Sequence, residues 1–248
     1  MTPLSLSVGL LLALAAPAAA PPIPAPITAA VADSRRPEAD RVRDAARKPG
    51  ELLAFAEIAP GEKVADFIMG GGYFTRILAA AVGPKGRVYA YQPAEFITFM
   101  PAYGTQQDEA VAGYKNVTPS RDSLSKFAFP EPLDAIVTVQ NYHDLHLKMV
   151  PANFAGSVAM KFYESLKPGG VLLVVDHVAN ADPEFKAPEA LHRIDPAAAR
   201  AEIERAGFRF EGALPILANP ADPHTASVFD PAIRGKTDQF VFKFRKPR

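Results

Sequence analysis

The stretch Val64–Thr75, VADFIMGGGYFT, constrains the fold more than any other part of the chain. An apolar run ends in three consecutive glycines and opens at once into an amphipathic segment. A strand with no polar alternation is covered on both faces, which is the condition of a parallel sheet. The same alternation continues along the chain. KVADFIM reads as a strand, and YFTRILAAAVG as a helix with Phe74, Ile77, Leu78 and Ala81 on one face, stopped by Gly83-Pro84. GRVYAYQP is a second strand, followed by helical pieces that Pro101 interrupts. NVTPS and LDAIVTVQNYHD give a third and a fourth strand. VPANFAGSVAMKFYESL is a helix closed by KPGG, and VLLVVDHV is a fifth strand. DPAAARAEIERAGF is a helix with Asp195 as N-cap and Gly207 as C-cap. FRFEGALPIL and DQFVFKFRK close the chain as an antiparallel pair. The expectation is a doubly wound α/β fold: a mostly parallel seven-stranded sheet with helices on both faces and an antiparallel C-terminal strand.

Hydrophobic residues make up 48% of the 248, enough for a sizeable core. Lys+Arg and Asp+Glu are both 27, so nothing in the charge argues for nucleic acid or an anionic membrane as partner. The absence of cysteine excludes disulfides, thiolate nucleophiles and cysteine-bound zinc, and it suits an oxidising compartment. The first residues contain LSVGLLLALAAPAAA, too short to span a bilayer and rich in small residues at its end. Residues 1–20 therefore read as a cleaved signal peptide with its edge near Ala18, although no Lys or Arg precedes the apolar run. No cysteine follows for a lipid anchor, so a periplasmic or secreted protein without stable membrane insertion is expected. Residues 21–48 read as a linker ending in a short polar helix from Arg36 to Lys48, and residues 49–248 as the domain.

Glycines between a strand and a helix let the backbone approach an anion at the helix N-terminus, but they also serve as a plain turn. Here the sequence goes further. VADFIMGGGYFTRILAAAVGPKGRVYAYQP resembles the first βαβ unit of the class I S-adenosylmethionine-dependent methyltransferases, matching their pattern at Asp66, Gly70, Gly72, Tyr73 and Thr75. LDAIVTVQNYHDL and LKPGGVLLVVDH resemble the fourth and fifth strands of that family. QNYHDLH, LHRID and FDPAIRGKTDQFVFKFRKP are similar to a narrower group of bacterial predicted methyltransferases, many with export signals. The resemblance runs from about Glu51 to the C-terminus.

The resemblance implies S-adenosylmethionine as cofactor and a small-molecule acceptor. It places the methionine part of the cofactor along Gly70, Gly71 and Gly72 with Asp66 and Tyr73, and its adenine near Asp122 and Ser123, with Gln140 and Asn141 at the mouth of the fourth strand. Two family anchors are altered: Ile68 stands for a glycine, and Gln92 for the acid that grips the ribose, with Glu95 as a substitute from the next helix. From the residues alone, Asp66 could satisfy the glycine turn, Asp122 cap a segment, and Tyr73 pack on the core.

All five histidines follow the third strand. His143 and Asp144 lie just past the fourth strand, Asp176 and His177 at the end of the fifth, and His192 in the loop after it. Adjacent strand ends are about 5 Å apart, so His143 and His177 can face one cleft. Three readings stand side by side. A histidine is a general base, with His143 preferred and Asp144, His177 and His192 around it. Or His143, His146 and His177 with Asp144 or Asp176 bind a divalent metal. Or these are hydrogen-bonded loop residues. The expected activity is small-molecule methyl transfer; the alternative is a non-catalytic or repurposed protein of the same fold, binding another ligand or a metal in the periplasm.

Overall fold

The computed structural model describes residues 20–151 and 154–248; the apolar N-terminal run lies outside them. In chain order come α1 (Ala25–Val31), α2 (Glu38–Arg41), α3 (Asp44–Arg47), α4 (Pro49–Phe55), β1 (Lys63–Phe67), α5 (Tyr73–Val82), β2 (Arg87–Tyr91), α6 (Ala94–Phe99) and α7 (Ala102–Val111). The second half holds β3 (Val117–Ser120), β4 (Leu133–Val139), a 3-10 turn at His143–His146, α8 (Phe154–Ser165), β5 (Leu166–His177), α9 (Ala187–Leu191), α10 (Pro196–Arg205), β6 (Arg209–Ala213) and β7 (Gln239–Arg245).

The seven strands form one sheet in the order β3-β2-β1-β4-β5-β7-β6. All neighbours pair in parallel except β7, which runs antiparallel between β5 and β6. The strand order reverses between β1 and β4, and open α/β sheets bind ligands at such a crevice. Apolar runs form central strands because each strand feeds two cores with period two. Val64, Ala135, Val137, Leu173 and Val175 join one cluster with α1, α4 and α5. Ala65, Phe67, Ile136, Leu172 and Val174 join the other with α8 and α10.

The expected N-cap of α10 is present: Asp195 accepts a hydrogen bond from the Ala197 N–H. The N-terminal stretch departs from the expected linker. α1 packs against α5, burying Ile27 and Ala30, and the stretch from Arg36 to Lys48 forms two short helices rather than one. Seven residues are too few to hold a helix by propensity, so packing holds α1 in place.

Candidate active site

The glycine turn keeps the backbone of its pattern even where the side chain departs from it. Gly70 (φ 53) and Gly72 (φ 78) are left-handed, and so is Ile68 at φ 60. Glycine enters this region freely, whereas a β-branched residue does so only under constraint. The constraint comes from Asn141, whose Nδ2 donates to the Ile68 and Val139 carbonyls at 2.8 Å each. Gln92 is fully buried and turned into the loop, accepting the Gly70 N–H on Oε1 at 2.9 Å. Its Nε2 is buried without a partner. Asp66 points to the same turn and accepts from the Thr75 hydroxyl at 2.5 Å. Burial raises its pKa to about 6, against the hydrogen bonds from Thr75.

A cavity of about 200 Å³ opens here, lined by Asp66, Ile68, Gly70, Gly71, Tyr73, Gln140 and Asn141, with Arg43 and Arg47 from the N-terminal helices. Its glycines leave it room: a Cβ at Gly70 would meet nothing within 4 Å, and one at Gly71 only Gln106 Oε1 at 3.7 Å. Gly72 is different, because a Cβ there would lie 2.3 Å from the Ala110 Cβ. Larger hollows line the Arg87–Asn116 and Ser125–Pro132 margins, away from the glycine turn.

The arginines beside this cavity are not singled out by the sequence pattern. Tyr73 is surrounded by Arg36, Arg43 and Arg47, with guanidinium carbons 5.3, 5.0 and 4.5 Å from its ring centre. Its hydroxyl donates to Asp44 at 2.5 Å. Arg36 is paired with Asp44, and Arg43 with Asp40. Among the described residues, Arg47 has no carboxylate partner; Nη1 donates to Gln140 Oε1 at 3.4 Å, and Nε is buried and unpaired. Burial pushes its guanidinium below its ordinary value. Arg43 and Arg47 are four residues apart in a polar helical stretch, a spacing that puts both on one face and was the available signal.

Other expected cofactor residues are placed less centrally. Gln140 (φ 63) bridges Arg47 and Gln239. Asp122 is exposed at the end of β3, bonded to the Ser120 hydroxyl at 2.7 Å; Ser123 lies next to it with its hydroxyl on Ser125. Glu95 accepts the Leu124 N–H, so its carboxylate caps that segment rather than replacing the missing acid.

Beyond Asn141 the chain turns into the histidine cluster. His143 is buried, its Nδ1 2.7 Å from Asp176 Oδ1, its backbone N–H on Asp176 Oδ2, and its Nε2 3.2 Å from Asp144 Oδ1. His192, at φ 52, places Nδ1 3.8 Å from the same Asp144 oxygen, and its ring lies 5.4 Å from that of His143. His177 is 6.1 Å from His143 ring to ring, but its Nδ1 bonds the Thr237 hydroxyl at 2.7 Å. His146 turns away, stacked on Phe185 and 3.3 Å from Glu202. Of the metal ligands drawn from the sequence, His146 and His177 turn to other partners, whereas His192 lies beside His143 and Asp144. Arg193, next to His192, is fully buried and paired with Asp222.

Burial pulls the His143 imidazole down, but the Asp176 and Asp144 carboxylates win and raise it to about 10. Burial lowers His177 to about 4.

No family model matches the chain. Its fold is similar to that of a SAM dependent methyltransferase from Aquifex aeolicus, with a TM-score of 0.54 and 21% identity over 79% of this chain and 87% of that one. It is similar to the N-methyltransferase NodS from Bradyrhizobium japonicum WM9, with a TM-score of 0.56 and 12% identity over 84% and 97%. It is also similar to a possible exported protein from Bordetella parapertussis, with a TM-score of 0.51 and 17% identity over 84% and 68%. Among the described residues, no helix is long and apolar enough to cross a membrane. With its strand order and its glycine turn at the β1/β4 switch point, the chain has the Rossmann-like fold of the class I S-adenosylmethionine-dependent methyltransferases.

Proposed function

We propose that this protein transfers a methyl group from S-adenosylmethionine to a small-molecule acceptor, in the cleft above the C-terminal ends of β1, β4 and β5. The observation that carries this reading is Arg47, a guanidinium pressed over the glycine turn with a buried, unpaired Nε. A buried donor without an acceptor costs about 1–3 kcal/mol, and more when charged. A carboxylate in the cavity would remove that cost, and the amino-acid end of S-adenosylmethionine carries one. The buried Nε2 of Gln92 is a second unpaired donor beside the turn. S-adenosylmethionine supplies an electrophilic methyl group. Arg47 and the glycine turn hold and orient its amino-acid end, and Asp144 with His192 faces the acceptor. His143, its ring held by Asp176, is the general base expected from sequence.

Calorimetry of the purified protein against S-adenosylmethionine and S-adenosylhomocysteine tests this. Micromolar binding is expected, weakened by Arg47→Ala. No heat at millimolar ligand would overturn the reading in favour of a repurposed fold, which the inward-turned Gln92 in place of an acid independently favours. Export belongs to the same proposal. It is supported by the apolar N-terminal run and by the fold shared with the Bordetella protein. Mass spectrometry of the native protein should find a mature start near Ala19, and an intact Met1 would refute it.

A further inference from the structure

The histidine cluster, which the methyl-transfer reading sets beside the acceptor, carries a second chemical capacity. His143, Asp144 and His192 each present one ligand atom within 4.8 Å of the other two. Two of these gaps are short, 3.2 Å from His143 Nε2 to Asp144 Oδ1 and 3.8 Å from the same oxygen to His192 Nδ1. A tetrahedral ion with bonds of 2.0–2.2 Å would set its ligand atoms about 3.3 Å apart, so the cluster needs only a small contraction to close on one. His143 also has the support a ligating histidine usually has. Its Nδ1 is held by Asp176 Oδ1 at 2.7 Å, which fixes the ring and leaves Nε2 facing Asp144. Asp176 is fully buried and holds the His143 backbone N–H with its second oxygen, so the carboxylate cannot rotate away.

We infer that His143, Asp144 and His192 form a binding site for one divalent transition-metal ion, with Asp176 as the residue that positions His143. Two imidazoles and a carboxylate suit Zn²⁺ or Fe²⁺ rather than Mg²⁺ or Ca²⁺, which prefer all-oxygen ligands. Three protein ligands leave a coordination position open to water or to an acceptor atom, the arrangement of catalytic rather than structural sites. The inference stands on the ligand geometry and not on methyl transfer, so it can hold even where S-adenosylmethionine does not bind.

The test uses the full chain purified without a polyhistidine tag, stripped with chelator and titrated with Zn²⁺ and with Co²⁺. One ion per chain is expected, with a visible Co²⁺ absorption band of a low-symmetry site. Asp144→Asn and His192→Ala should abolish the band, and His146→Ala should keep it. Asp176→Asn should weaken affinity by about 10–100-fold, as loss of an orienting partner does. Because His192 has a left-handed backbone, His192→Asn gives a second variant whose side chain tolerates that conformation. Circular dichroism shows which variants are folded. Absence of uptake by the wild-type chain, or uptake that survives both Asp144→Asn and His192→Asn, would overturn the site.

Discussion

Ile68 shows how a single position can depart from a pattern in sequence and keep it in space. Its left-handed backbone costs about 1–2 kcal/mol, and the two hydrogen bonds from Asn141 hold it there. Sequence made Ile68 and Gln92 visible as departures but gave no view of their compensation, because the partners lie far along the chain, at Asn141 and Gly70. The glycines divide by the same logic. Gly72→Ala should destabilise the fold by about 2 kcal/mol or more, since its Cβ would collide with Ala110. Gly71→Val should leave the melting temperature nearly unchanged and abolish ligand binding, which makes it the cleaner probe. Equal binding by wild type and Gly71→Val would place the ligand elsewhere.

Asp66 gives a pH prediction. Its folded pKa of about 6 lies above its ordinary 3.8, so between those values the unfolded chain gives up the proton first. Stability then falls as pH rises through that window, by about 3 kcal/mol for this residue, and the loss is complete above pH 6. Asp66→Asn keeps an acceptor for Thr75 and should flatten the profile between about pH 4 and 6, raising stability at pH 7 relative to wild type. Urea unfolding at pH 4, 5 and 7 checks this; parallel profiles for the two proteins would contradict it.

At the scale of elements, the strands and long helices were legible because their hydrophobic periods are their own. The N-terminal helices were not. APITAAV carries two prolines' worth of local rigidity around it and no amphipathic length, and only the groove on α5 makes it a helix. Arg47 was hidden for the same reason: it sits in a stretch without a core period, and its meaning comes from the cavity it covers. Ile27 is 1% exposed, so Ile27→Ala should cost about 2–4 kcal/mol, measurable by chemical denaturation. A loss below about 0.5 kcal/mol would mean that α1 is dispensable to the domain.

At the scale of the whole molecule, the parallel sheet gathers residues that sequence can only suspect are neighbours. That His143 and His177 end adjacent strands was legible; that Asp176 holds the His143 ring while His177 turns to Thr237 was not. The choice of His192 over His146 was not, because it depends on which way a one-turn 3-10 segment rotates. The site draws on residues from Arg47 to His192, so a bound ligand should stabilise the domain as a unit. S-adenosylhomocysteine at about 100 times its dissociation constant should add about 2.7 kcal/mol and slow hydrogen exchange in the segment Glu38–Arg47 together with the glycine turn. Slowed exchange in the turn alone would show that the arginines take no part.

The roof of guanidiniums over Tyr73 also gives the cleft a direction. Arg43 and Arg47 stand over the glycine turn, while Asp144 and Asp176 flank His143 farther along the same chain turn. The chain as a whole carries no net charge, so at long range it neither attracts nor repels a small ion. At one end of the cleft Arg47 has no carboxylate partner among the described residues, and farther along two carboxylates share one imidazole, so the two places favour ligand charges of opposite sign. A zwitterion entering the cleft should turn its carboxylate toward Arg47 and its positive centre toward the acids. The capture rate of such a molecule should therefore fall with added salt, even though the protein is electrically neutral.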